Sequence, residues 1–180
     1  WVLARLLCVF VWTWALFGCL DARECRGPGE CLQSKVCYVL DAILNPRSIA
    51  VIGASNTAGR IGGRPIHMMQ QAGYSGAIYP VNPKYDEIQG LTAYPRIGDV
   101  PGEVDCAIIA VPANIALDAV RACAEHGVRS VVMFTAGFAE IDSDGEGAQR
   151  ELGEIAAASG MRVLGPNCLG VFNLKTHWFG

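Results

Sequence analysis

The residues best suited to bind a ligand lie in a glycine-rich loop, Gly53-Ala-Ser-Asn-Thr-Ala-Gly59-Arg-Ile-Gly62-Gly63. Gly53 permits a sharp turn, and Gly59 lets the backbone approach a ligand closely, because glycine carries no Cβ. Backbone N–H groups at the start of the following helix favour a phosphate. The spacing is longer than G-x-G-x-x-G, and no Gly-Lys-Ser/Thr completes a P-loop. The loop predicts a phosphate-binding turn; a tight turn without a ligand is the alternative.

A lysine follows the next apolar segment, at the position that often decides between nucleotide cofactors. An enzyme that uses NAD places Asp or Glu there to bind the ribose hydroxyls. This chain has Val81-Asn-Pro-Lys84 instead. A lysine suits an additional phosphate, such as the 3′-phosphate of coenzyme A or the 2′-phosphate of NADP. The alternative is a solvated turn lysine with no ligand.

Three further loops follow apolar segments. They are Val111-Pro112, Thr135-Ala-Gly-Phe138 and Gly165-Pro-Asn-Cys-Leu-Gly170, which differ in sequence but each lie at the predicted end of a strand. Pro112 favours an extended exit from the preceding strand, and the small residues of the second loop leave space above the sheet. Each loop alone could be a simple turn, but their recurrence predicts a ligand site.

The elements that position these loops alternate between strand and helix. Short apolar runs predict strands, and amphipathic segments between them predict helices that end at glycines. This order predicts a Rossmann-like α/β fold, a doubly wound parallel sheet of about five strands with helices on both faces. Right-handed crossovers then place the carboxyl ends of the strands at one edge, where ligands bind. The predicted strands are 48–53, 77–81, 104–111, 129–134 and 161–164, and the predicted helices end near Gly73, His126 and Gly160.

Composition restricts the function further. The 180 residues are 52% hydrophobic and 17% charged, which suits a single folded domain. The net charge of −3 argues against a broad nucleic-acid surface. Cys106, Cys123 and Cys168 lie in apolar contexts and predict reduced, buried thiols of a cytoplasmic protein. No ligand spacing for a metal is evident.

Residues 1–40 differ from the rest of the chain. The apolar run Leu6–Leu20 has 15 residues, whereas a membrane span needs about 20. The cysteines of this region lack the paired spacing of a zinc site. We expect an apolar, cysteine-rich segment that is extraneous to the domain or serves as a signal or anchor, and we regard membrane association as the weaker reading.

The loop motifs, taken in order, resemble one family. Asn45–Ser55, Tyr79–Lys84, Ala110–Pro112, Thr135–Phe138 and Gly165–Gly170 are similar to motifs of the ADP-forming acetyl-CoA synthetases and related acyl-CoA synthetases. That family shares the domain with the succinyl-CoA synthetase α subunit. The resemblance covers about 41–173 and implies a coenzyme A-binding domain there, with 174–180 as the start of a linker.

The resemblance also implies roles for individual residues. It places residues 55–58 against the phosphates and adenine, and Lys84 at the coenzyme A phosphates. It places Val111, Pro112 and residues 134–136 beside the cofactor, and Asn167 near its reacting end. The cofactor-binding residues so implied are Gly53, Ser55, Asn56, Thr57, Ala58, Gly59, Lys84, Val111, Pro112, Phe134, Thr135, Ala136 and Asn167.

The implied function is binding of coenzyme A or an acyl-CoA thioester within an NDP-forming acid–CoA ligase. In that family an acyl-CoA, ADP and phosphate yield the acid, coenzyme A and ATP through a phosphorylated histidine of a following domain. We expect no catalytic residue in this chain, and we expect downstream ligase domains, including an ATP-grasp domain, or a partner subunit. The alternatives are a coenzyme A-binding regulatory module fused to an acetyltransferase, and an NADP-dependent oxidoreductase domain.

Overall fold

The computed structural model describes residues 41–141 and 143–180, with the backbone alone at 143 and 144. The expectations for segment 1–40 lie outside the described residues. Helices connect most strands of the main sheet, as the sequence predicts, whereas a short hairpin and a 3-10 turn connect β2 to β5. In order they are β1 (Ser48–Ile52), α1 (Arg64–Ala72), β2 (Ala77–Val81), β3 (Glu87–Ile88), β4 (Leu91–Thr92), a 3-10 turn (Ile97–Asp99), β5 (Cys106–Ile109), α2 (Ala113–Glu125), β6 (Ser130–Met133), α3 (Ser143–Ser159), β7 (Arg162–Leu164), β8 (Phe172–Asn173) and β9 (Trp178–Phe179).

The main sheet confirms the predicted Rossmann-like architecture. Its five strands follow the order β2-β1-β5-β6-β7, and each neighbouring pair is parallel. The strand order reverses between β1 and β5, so connections leave these two strands in opposite directions. A crevice opens at such a switch point, outside the carboxyl ends of the strands.

Alternate residues of the central strands fill two separate apolar cores. In β1, Ala50 and Ile52 face α2 and α3, while Ile49 and Val51 face α1. A strand covered on both faces must be apolar at every position, which explains the continuous hydrophobic runs in the sequence. The helices therefore cover both faces of the sheet, as predicted.

The packed core continues past Asn173, although the family resemblance implies that a linker starts at residue 174. β8 and β9 pair as an antiparallel hairpin. The side chain of Trp178 is fully buried, and its indole N–H donates to the Ile43 carbonyl at 2.9 Å. A linker would leave this side chain in water, so the hairpin belongs to the folded unit.

No helix among the described residues has both the length and the apolar character needed to cross a membrane.

The cysteines of the described chain differ in burial. Cys106 and Cys123 are fully buried, as predicted, whereas Cys168 is half-buried. Burial raises the pKa of the Cys106 and Cys123 thiols to about 12. Burial also raises the pKa of the Cys168 thiol, although a hydrogen bond from the Gly170 N–H opposes this shift.

We expect iodoacetamide to alkylate Cys168 in the folded protein while sparing Cys106 and Cys123. The thiolate is the reactive form, and a raised pKa keeps it scarce at pH 8–9 in addition to the steric barrier of the core. Mass spectrometry of the tryptic peptides, with a urea-unfolded sample as the control, measures the three sites. Alkylation of Cys106 at the rate of Cys168 would contradict the packing described.

Candidate functional site

A cavity of about 1010 Å³, here called the cleft, opens at the carboxyl edge of the sheet beside the switch point. The ends of β1, β2 and β5 form its base, and α2 and the segment 95–99 form its walls. Its size matches the upper range of sites that hold cofactors. The lining residues are Ile52, Gly53, Arg60, Val81, Asn82, Pro83, Lys84, Pro95, Arg96, Ile97, Gly98, Asp99, Ala110, Val111, Pro112, Ile115, Ala119, Ala122, Glu125 and His126.

Gly53 brings the end of β1 against the end of β5. Its φ is +86°, and a Cβ built there would lie 2.5 Å from the Ala110 carbonyl oxygen. Any other residue would be strained in this conformation and would clash with a backbone that cannot move aside. The structure therefore confirms that the sharp turn at position 53, at the base of the cleft, requires glycine.

The glycine-rich loop folds back on itself through backbone hydrogen bonds. The Ser55 N–H donates to the Gly62 carbonyl at 3.3 Å, and the Thr57 N–H donates to Ser55 Oγ at 3.1 Å. A Cβ on Gly62 or Gly63 would lie 2.0 or 2.1 Å from a carbonyl oxygen of this same loop. These two glycines thus allow the loop to close.

The backbone donors of the loop lie before α1. The Arg64 N–H already donates to the Arg60 carbonyl at 2.9 Å. Within the described part of the chain, the N–H groups of Asn56, Ala58 and Gly59 have no hydrogen-bond acceptor. These loop amides, more than the helix terminus, are able to donate to an anion.

Three cationic side chains line the cleft, and the turn after β2 positions one of them. The Lys84 N–H donates to Asn82 Oδ1 at 3.0 Å, and the Asn82 side-chain amide donates to the Ala54 carbonyl at 2.8 Å. This Asx turn ties the β2 exit to the β1 exit and places Lys84 at the cleft. Arg60 and Arg96 are the other two cations.

The segment 95–99 and the inner face of α2 add residues that the sequence analysis does not identify. Arg96 pairs with Asp99 at 3.3 Å, which holds the 3-10 turn together. Ile115 and Ala119 give α2 an apolar surface toward the cleft. The Nε2 atom of His126, at the carboxyl end of α2, is buried and has no hydrogen-bond partner in the described chain. The sequence signal was weak, because none of these residues belongs to a loop motif at the end of a main-sheet strand.

Residues 47–173 match the family model of the CoA binding domain. The chain belongs to this CoA-binding family. The matched range includes the whole main sheet, the cleft and the glycine-rich loop. Coenzyme A is the ligand that this domain carries, as the sequence motifs imply.

Curated relatives of the CoA-binding domain include CoA ligases and synthases. The chain is 44% identical over 135 residues to the α subunit of acetate–CoA ligase (ADP-forming) II from Pyrococcus furiosus, covering 75% of this chain and 29% of that one. It is 45% identical over 134 residues to a trans-feruloyl-CoA synthase from an unidentified prokaryote, covering 74% and 19% respectively. The chain thus spans less than a third of these relatives.

Solved structures share the domain. An acetyl-coenzyme A synthetase 1 from Candidatus Korarchaeum cryptofilum, in complex with phosphate and ADP, superposes with a TM-score of 0.73 and 39% identity, over 77% of this chain and 30% of that one. A Pyrococcus horikoshii protein superposes with a TM-score of 0.72 and 43% identity, over 77% and 32% respectively. Both support the same parallel-sheet fold.

The residues predicted to bind the cofactor fall into three groups in the CoA-binding domain. One group lines the cleft: Gly53, Lys84, Val111 and Pro112. A second group belongs to the glycine-rich loop next to it, with Ser55 and Ala58 half-buried and Asn56, Thr57 and Gly59 exposed. The third group lies farther along the same sheet edge, after β6 and β7: Phe134, Thr135, Ala136 and Asn167.

The third group is linked to the cleft through Thr135. Its hydroxyl donates to the Val111 carbonyl at 2.7 Å, and its own carbonyl accepts from the Asn167 N–H at 3.0 Å. Thr135 therefore holds Val111 in place at the base of the cleft. Phe134 instead lines a second, apolar groove of about 440 Å³, which Arg64 also borders. Ala136 and Asn167 are exposed.

Proposed function

We propose that this domain is the cofactor-binding part of an ADP-forming acid–CoA ligase and that coenzyme A lies in the cleft. The observation that carries the proposal is the cationic side chain of Lys84 at the end of β2, inside a cleft of a CoA-binding domain. The names of the two curated relatives, acetate–CoA ligase and feruloyl-CoA synthase, support the reaction class.

The cleft suits coenzyme A in size, charge and polarity. Its volume of about 1010 Å³ accommodates a large nucleotide. Arg60, Lys84 and Arg96 supply positive charge for phosphates, and Val111 and Ile115 supply an apolar surface for a flat base. The Nε2 atom of His126, which has no hydrogen-bond partner in the described chain, could form a hydrogen bond with a polar group of the ligand.

We assign roles to the predicted residues on this basis. Lys84 binds the 3′-phosphate, and the unpaired N–H groups of Asn56, Ala58 and Gly59 donate to the diphosphate. Val111 and Pro112 contact the adenine. Asn167 and the loop after β6 lie toward the reacting end. The remaining members of the proposed site are Gly53, Ser55, Thr57, Phe134, Thr135 and Ala136.

When bound, coenzyme A supplies the thiol that carries the acyl group. The residues of this chain then bind its phosphates, hold its adenine and orient its free end. We propose that acyl transfer uses groups supplied by further ligase domains or a partner subunit.

We also propose that residues 41–173 form the binding unit, completed by the hairpin through Phe179. This unit works in the reducing cytoplasm. The free thiols of Cys106 and Cys123 support that environment.

Calorimetric titration tests the ligand. We expect coenzyme A to bind at least about tenfold more tightly than NAD, because the cleft offers cations for a 3′-phosphate and no carboxylate at the end of β2 for a ribose. NADP and NAD serve as matched nucleotide controls. Tighter binding of NADP than of coenzyme A would favour the oxidoreductase alternative.

A further inference from the structure

The short hairpin formed by β3 and β4 contacts the glycine-rich loop through one side chain. Gln89 occupies the turn between these strands. Its side-chain Nε2 donates to the Ser55 carbonyl at 2.8 Å and to the Gly63 carbonyl at 2.9 Å. These two carbonyls lie at opposite ends of the loop. A single amide group therefore joins the beginning of the loop to its end.

The backbone of the same turn makes further contacts with the loop and with α1. The Gln89 N–H donates to Asn56 Oδ1 at 2.8 Å, and the Asn56 amide reaches the Glu87 carbonyl at 3.4 Å. The Gln70 side chain of α1 donates to the Gln89 carbonyl at 2.9 Å. Ile88, which is fully buried, anchors the hairpin beneath these contacts. The turn is thus attached to the core and to the loop at once.

The chemistry of position 89 is specific. Two carbonyl oxygens that converge on one point need a donor with two hydrogens, which the NH2 group of glutamine provides. Methionine has nearly the same shape but no donor, so it would leave the half-buried Ser55 carbonyl unpaired. The Gly63 carbonyl would keep only the bond from the His67 N–H, at 3.1 Å. Gln89 also has a φ of +52°, a conformation that few side chains adopt without support. The contacts to Asn56 and Gln70 provide that support.

We infer that Gln89 is a positioning residue for coenzyme A binding. By holding the Ser55 and Gly63 carbonyls together, Gln89 keeps the loop in the conformation that leaves the Ala58 and Gly59 amides unpaired. A loop ordered in advance binds a phosphate without the entropic cost of ordering at that moment. This inference rests on the proposed function, because the ligand of the loop amides is the diphosphate of coenzyme A.

The first test compares Gln89→Met with Gln71→Met in the full chain. Gln71 is exposed on α1 and makes no hydrogen bond to the loop within the described residues, so its variant controls for the change of residue type. We expect Gln89→Met to weaken coenzyme A binding about tenfold, with a small shift in melting temperature, and Gln71→Met to bind as the parent does. A variant with lowered melting temperature but parental affinity would assign Gln89 a purely structural role and overturn the inference.

The second measurement is hydrogen–deuterium exchange of the loop in the ligand-free protein. We expect Gln89→Met to speed exchange at 55–63 and to leave β5 and β6 unchanged; parental exchange at the loop would overturn the inference. This readout does not depend on the ligand. If the parent chain binds no coenzyme A, the proposed function fails, while the exchange data still decide whether Gln89 orders the loop. Should Gln89→Met not fold, Gln89→Asn gives the same comparison, because its shorter amide cannot span both carbonyls and Asn tolerates positive φ.

Discussion

Replacement of Lys84 by glutamate is expected to weaken coenzyme A binding far more than binding of dephospho-coenzyme A. The lysine lies in the cleft at the end of β2, where the Asx turn of Asn82 fixes its backbone. A charge-assisted hydrogen bond is worth about 1.5–3 kcal/mol. Its loss, together with the repulsion of the new carboxylate, lowers affinity by roughly tenfold to a hundredfold or more. Dephospho-coenzyme A has no 3′-phosphate, so the charge reversal acts on it only through weaker, longer-range repulsion of its remaining phosphates.

The chain offers a matched control for this charge reversal. Lys175 is an exposed lysine of the β8–β9 hairpin and does not line the cleft. Lys175→Glu changes the net charge equally and should leave both affinities near the parental values. Calorimetry with the two ligands on both variants measures the difference. If Lys84→Glu lowers the affinity for both ligands equally while the fold stays intact, Lys84 does not bind the 3′-phosphate, and Arg60 becomes the candidate.

Replacement of Trp178 by alanine is expected to lower the free energy of unfolding by about 3–5 kcal/mol. The indole is fully buried among residues of α1, β1 and β5, and its N–H is bonded to the Ile43 carbonyl. Its ring also packs against Tyr74, with a centroid distance of 6.5 Å. The variant would leave a large cavity and an unpaired carbonyl together.

Phe172 provides the control, because it belongs to the same hairpin but is 67% exposed. Phe172→Ala should change the free energy of unfolding by less than about 1 kcal/mol. Urea denaturation followed by circular dichroism measures both variants. A loss below about 1 kcal/mol for Trp178→Ala would mean that the hairpin is not part of the cooperative unit.

The sequence could predict a phosphate-bearing ligand because the relevant features are local: a glycine-rich turn after β1, in which Gly53 has a positive φ, and Lys84 two residues after Asn82. Coenzyme A itself was implied only by the family resemblance. The apolar runs of β1, β5 and β6 predicted a sheet covered on both faces, which the structure confirms. The family match then supports coenzyme A as the ligand.

The walls of the cleft could not be read in the same way. Arg96 and Ile97 belong to a segment after β4 that reaches the cleft only because the chain returns along the edge of β2, where the Tyr94 N–H donates to the Pro80 carbonyl. Ile115 faces the cleft only because of the way α2 packs on the sheet. No local pattern distinguishes such a residue from an ordinary surface residue.

The sequence by itself determined the strand and helix pattern, the helix-ending glycines, the glycine-rich turn after β1 and the turn that carries Lys84 after β2, because each depends on neighbours within a few residues. Only the tertiary structure decided that Gln89 ties Ser55 to Gly63, and that Trp178 completes the core. Both contacts join segments distant in sequence, and such contacts form only when the sheet and its helices have brought those segments together.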